Sequence, residues 1–188
     1  MTGSILRLTD TAARSQVDDD RQLLAKVLRP YRDPYHYLTW ATVTTRNGMA
    51  VGRGEFRIQE RSTVDTGMLG GAEFGICYEQ LVRFLIASSI KERSVPELEG
   101  WATGDYWAGQ VPDLHVVRLN SAFRSPVDSS AFFGEVALAS FTESTVRRPI
   151  LLIDTTCRFW DGESGRADGE VLLALLDPPD PRSARAAA

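Results

Sequence analysis

Apolar positions change period several times along the chain, and each change marks an element. Leu23, Leu24, Val27 and Leu28 recur at helical spacing behind Asp18, Asp19 and Asp20. Carboxylates favour the positive end of a helix, so the pattern predicts a short helix from about Val17 to Leu28, stopped by Pro30. His36 to Thr45 and Ala50 to Ile58 are then rich in β-branched and aromatic residues. Asn47-Gly48 lies between them, and both residues tolerate the positive φ of a hairpin turn. A period of two puts His36, Leu38, Trp40 and Thr42 on one face.

Gly70 to Ile90 breaks this β pattern. Phe74, Ile76, Cys77, Leu81, Val82, Phe84, Leu85 and Ile86 cover almost the whole circumference of a helix, which predicts a buried one. Its polar members are therefore informative: Glu73, Tyr78, Glu79, Gln80 and Arg83. Four more strands follow at about Leu114–Phe123, Phe132–Phe141, Ile150–Phe159 and Glu170–Leu176, the last two joined through Asp161-Gly162-Glu163-Ser164-Gly165. One long helix against six strands predicts an α+β fold, with a largely antiparallel sheet wrapped around that helix. Residues 1–14 lack a period and read as flexible. The proline-rich tail 178–188 reads as disordered, which leaves 15–177 as a single domain.

Composition narrows the function classes. The net charge of −4 argues against a dedicated nucleic-acid binder. No apolar run reaches bilayer length, and no secretory signal precedes the first helix, so a cytoplasmic, membrane-free protein is expected. Two cysteines and two histidines, all scattered, form no zinc-ligand cluster, so neither a metal nor another cofactor is expected.

Nucleophile-elbow, phosphate-loop and Rossmann signatures are absent. The apolar neighbours of Cys77 and the strand setting of Cys157 point to packing rather than catalysis. Gly70 and Gly71 at the helix start let a ligand carbonyl approach free N–H groups; equally, they permit tight packing on the sheet. His36 offers an imidazole, a side chain that suits a proton carrier as well as a surface strand end. Glu79, inside the most apolar helix, reads either as a functional carboxylate or as the partner of Arg83 one turn on. Arg118, Asn120 and Arg124 share one strand face, which is either a carboxylate-binding surface or a solvated one.

A set of short motifs runs from Leu23 to Leu176. It comprises Leu23–Tyr31, Thr66-Gly67, Glu73 with Gln80-Leu81, and Gly100-Trp101 followed by Asp105-Tyr106. Phe123-Arg124-Ser125-Pro126, Phe159-Trp160-Asp161 and Gly169-Glu170 complete it. In this order and spacing the chain resembles the FcoT-like thioesterases. The resemblance implies a hot-dog fold, a homodimer or dimer of dimers, and acyl substrates carried on coenzyme A or acyl carrier protein. Some members are long-chain acyl thioesterases. Others add glycine to the β-carbon of a 2-enoyl thioester and then hydrolyse it to a 3-[(carboxymethyl)amino] fatty acid. The family tyrosine after Leu-x-Pro corresponds to Tyr31. Where the thioesterase-named branch has a loop tyrosine and two asparagines, this chain has Ser62-Thr63, Gly70 and Glu79; His36 replaces an arginine.

That substitution pattern favours the glycine-adding activity. Glycine is a zwitterion near neutrality and must lose an ammonium proton before it attacks. The expected catalytic residues are His36 as base, with Tyr31 and Glu79, the latter orienting His36 or the hydrolytic water. The expected substrate-binding residues are Gly70, Gly71, Ser62 and Thr63, with Arg124 or Arg118 on the glycine carboxylate. A plain acyl thioesterase and a non-catalytic acyl-binding module are the alternatives.

Overall fold

A computed structural model of the chain describes residues 17–59, 66–101, 104, 107, 114–145 and 148–178. Of the termini expected to be flexible or disordered, 1–14 and 178–188, all but Pro178 lie outside the described residues. Helix α1 spans 17–28. Then come β1 (Leu38–Arg46), β2 (Met49–Phe56), α2 (Gly71–Glu92), β3 (Leu114–Ser125), β4 (Phe132–Ser144), β5 (Ile150–Trp160) and β6 (Arg166–Leu176). The strands form one antiparallel sheet in the order β1-β2-β4-β5-β6-β3. This sheet wraps α2, whose residues from Leu81 to Ile90 are all buried. It is the hot-dog arrangement that the resemblance implies. Among the described residues no helix is long and apolar enough to cross a membrane.

Asn47 at φ 52° and Gly48 at φ 78° make the expected turn of the first hairpin. The start of that hairpin differs from the pattern. Asp33–Tyr35 form a 3-10 turn opened by Pro34, and His36 caps it, so β1 begins at Leu38. A bulge between Leu38 and Trp40 then resets the alternation: Leu38 is 1% exposed and Trp40 is 42% exposed. The two residues therefore do not share a face as the simple period requires. β6 begins four residues earlier than its apolar run, because Arg166–Gly169 pair on both sides, with β5 and with β3.

The core under α2 is aromatic. Phe74 packs edge-on against Phe159 at 4.9 Å, and Phe56 lies 5.3 Å from Phe132 and 5.5 Å from Phe159. The sheet approaches this cluster closely only where a strand residue has no side chain. A Cβ at Gly134 would sit 2.6 Å from Phe159 and 2.7 Å from Phe56. Gly134 thus lets β4 close over the rings.

Candidate active site

The middle of α2 carries Tyr78, Glu79, Gln80 and Arg83, most of the polar side chains that the apolar pattern leaves over. Pro30 ends α1, and the Tyr31 N–H returns to the Leu28 carbonyl at 2.9 Å. The chain then runs through the 3-10 turn along α2, where Gln80 holds it. The Gln80 side chain is fully buried; its Oε1 accepts from the N–H groups of Tyr37 (3.1 Å) and Leu38 (2.9 Å), and its Nε2 donates to the Tyr35 carbonyl (2.5 Å). This single amide thus bonds three backbone groups of an irregular segment; the Tyr37 N–H and the Tyr35 carbonyl also meet each other at 3.1 Å, so the buried Leu38 N–H depends most on it.

Beside Gln80, Tyr31 is laid against the polar members of α2. Its hydroxyl donates to Glu79 Oε2 at 3.4 Å, and Arg83 Nη2 lies 3.9 Å from the same oxygen. The Arg83 side chain is 9% exposed and that of Glu79 is 41% exposed, so the guanidinium lies deep and the carboxylate opens outward. Burial pushes the Tyr31 hydroxyl up to about 12; Arg83 draws it down and Glu79 raises it. The phenol therefore keeps its proton, and remains a donor, throughout the neutral range.

His36 is fixed from the other end of Tyr31. Its Nε2 lies 3.0 Å from the Tyr31 carbonyl and 4.0 Å from Asp33 Oδ1. A carbonyl only accepts, so Nε2 carries the hydrogen and Nδ1 holds the free lone pair. Tyr31 thus ties together the three expected catalytic residues: Glu79 at its hydroxyl and His36 at its backbone. Glu79 does not orient the imidazole directly; among the described residues that role belongs to the Tyr31 carbonyl and Asp33.

The expected binding residues are distributed differently. Gly70 is the N-cap of α2, and its carbonyl accepts the first helical bond, from Phe74 at 2.9 Å. The carboxylate of buried Glu73 sits over Gly70, where an added Cβ would come 2.5 Å from Oε2. At Gly71 an added Cβ would meet nothing within 4 Å, so the helix start is open there. Gly71 and Glu79 are eight residues apart on α2, about 12 Å along its axis. Ser62 and Thr63 lie outside the described residues.

Arg118 and Arg124 lie on β3, the sheet edge opposite β1. Period two does place them on one face, and that face is the outer one. Phe123, between them, instead rests against Phe74 of α2 at 5.7 Å. Arg124 pairs with Asp168 at 3.3 Å in an open outer groove of about 520 Å³ that also holds Glu135 and Arg158. Within one chain neither arginine joins the Tyr31 cluster.

Cys77 and Cys157 behave as expected: burial pushes the Cys157 thiol up to about 12 and raises Cys77 well above the ordinary range. Among the described residues no group of three or more His, Cys, Asp or Glu side chains is placed to hold a metal ion. Two residues that matter here, Gln80 and Arg83, were outside the expected site. The signal for both was their polarity within a helix that is apolar all round.

Residues 26–175 match the FcoT-like thioesterase domain model. A protein from Streptomyces coeruleorubidus named (2E)-enoyl-[ACP] glycyltransferase is 40% identical over 85% of this chain and 99% of its own length. A protein of the same name from Mycobacterium marinum is 28% identical over 90% of this chain and 92% of its own. Thioesterase superfamily member 2 from Mus musculus superposes with a TM-score of 0.51 at 12% identity, over 85% of this chain and 97% of that structure, which shows a shared fold. With its domain matched almost end to end, the chain belongs to the FcoT-like thioesterase family.

Proposed function

We propose that this protein adds glycine to the β-carbon of a 2-enoyl thioester on acyl carrier protein or coenzyme A, then hydrolyses the thioester. The observation that carries the reading is the 40% identical relative, matched over 99% of its length, whose name gives an enoyl-[ACP] and a transferred glycyl group. The Tyr31–Glu79–His36 cluster supports it with the groups the reaction needs. His36 Nδ1 takes a proton from the glycine ammonium. The freed amine attacks the β-carbon, a C–N bond forms, and the alkene electrons move onto the thioester oxygen. N–H groups of the α2 start near Gly71 receive that charge. The His36 imidazolium returns its proton to the α-carbon, which completes the addition and leaves the new secondary amine as an ammonium. Water positioned by Glu79 then attacks the carbonyl carbon and the thiol leaves. The product is a 3-[(carboxymethyl)amino] fatty acid, formed in the cytoplasm.

The test is incubation with crotonyl and longer enoyl thioesters and isotope-labelled glycine. Mass spectrometry is expected to find the carboxymethylamino acid. Release of free enoic acid alone, at a rate independent of glycine, would leave only the plain thioesterase.

We also propose that two copies build the site. About 12 Å of helix separates Gly71 from Glu79, too far for both to serve one carbonyl within a chain. β3 supplies a free edge with Val116, Val117 and Phe123 exposed along it. Light scattering is expected to give the mass of two or four chains; an active species with the mass of one chain would remove the shared site.

A further inference from the structure

We infer that Glu79 and Arg83 together form the receptor for the amino-acid zwitterion. The inference rests on the proposed glycine addition. It moves recognition of the glycine carboxylate away from the sheet-edge arginines, which face outward, Arg124 in the groove with Asp168.

Three observations carry it. First, the pair has the polarity of a zwitterion in reverse: a carboxylate for the ammonium and a guanidinium for the carboxylate. Its charges stand 3.9 Å apart, looser than the roughly 2.7–2.9 Å of a closed charge-assisted bond. Glycine separates its nitrogen from its carboxyl carbon by two bonds, about 2.5 Å, so it fits alongside such a pair. Second, the pair is graded in depth. Arg83 is nearly buried and planar, suited to bidentate capture of a carboxylate, and Glu79 stands at the opening. Third, both partners that bear on Glu79, the Tyr31 hydroxyl and Arg83, lie on Oε2. Among the described residues Oε1 has no hydrogen bond or ion pair, which leaves it to accept from an ammonium. Tyr31 closes one side of the pair, and its backbone carbonyl holds His36, the proposed base.

The geometry makes a selectivity rule. Both charges of the ligand are required, and they must lie two bonds apart. Glycinamide lacks the carboxylate, and β-alanine adds a bond between the charges.

Calorimetric titration tests the rule separately from turnover. The wild-type protein is saturated with a butyryl pantetheinamide, which accepts neither addition nor hydrolysis, and titrated with glycine, glycinamide and β-alanine. Glycine is expected to bind at least tenfold tighter than either analogue. Arg83→Gln is expected to weaken glycine about 100-fold, as for the loss of two charged hydrogen bonds, and to bind glycinamide as well as glycine. Arg83→Lys, which keeps the charge without the fork, falls between. In turnover, Arg83→Lys raises KM for glycine and changes KM for the enoyl thioester far less. Equal wild-type affinity for glycine and glycinamide overturns the receptor, even where Arg83→Gln fails to fold. So does an unchanged glycine affinity in the folded Arg83→Gln protein. Arg83-dependent glycine binding without adduct formation keeps the receptor and removes the addition reaction instead.

Discussion

His36→Ala is expected to lower formation of the labelled glycine adduct about 10³-fold, within the range that a positioned general base contributes. The argument is one of tautomer. With Nε2 committed to the Tyr31 carbonyl at 3.0 Å, Nδ1 has the lone pair, and the charged ring that forms on proton uptake finds Asp33 4.0 Å away. Alanine removes the lone pair and leaves Tyr31, Glu79 and Arg83 in place. The side chain is 31% exposed and fills no cavity in the core, so the melting temperature should move by only a few degrees. Hydrolysis of a saturated acyl thioester, which needs no amine to be deprotonated, should fall much less than adduct formation. Parallel assays with labelled glycine and with a saturated thioester separate the two steps. Adduct formation within threefold of wild type would show that another group takes the ammonium proton.

The sequence patterns carried the architecture further than they carried the site. α2 was legible because a helix that is apolar on every side has nowhere to go but the core, and Asn47-Gly48 fixed the first hairpin through positive φ. The face of β1 was not legible, since a bulge adds one residue and nothing in Leu38–Thr42 announces it. For Arg118 and Arg124 the period of two grouped the residues correctly. It said nothing about which side of the sheet they would face, because a one-residue slip reverses every side chain. Tyr31, His36 and Glu79 meet because the turn after Pro30 runs along α2, a contact between segments about 45 residues apart that no local pattern encodes. Gln80 and Arg83 were visible as polar residues in an apolar helix. The Glu79–Arg83 pair was legible from its i,i+4 spacing, but the partners of Gln80 were not, since they are backbone groups of the distant turn.

Gln80→Met is expected to cost about 3 kcal/mol and to abolish most of the activity. Methionine matches the length of glutamine and keeps the volume filled, so little of the effect comes from a cavity. What it removes is three hydrogen bonds: it orphans the N–H of Leu38, and it takes one partner from the N–H of Tyr37 and the carbonyl of Tyr35, which keep their 3.1 Å bond to each other. Tyr37 and Leu38 are 0% and 1% exposed, so water cannot take over without opening the core. Each orphaned buried group costs about 1–3 kcal/mol. A loss of about 3 kcal/mol corresponds to a melting temperature lower by roughly 6–12 °C for a chain of this size. The functional effect follows from position. The same segment carries Tyr31 at one end and His36 beside the anchored residues. Once it is released from α2, the phenol and the imidazole lose their registration with Glu79 and Arg83. Circular dichroism melts and adduct assays well below the lowered melting temperature separate the two effects. A folded Gln80→Met protein should still show adduct formation reduced by at least tenfold. Melting within 2 °C of wild type together with full activity would mean that the turn holds its place on α2 without this amide.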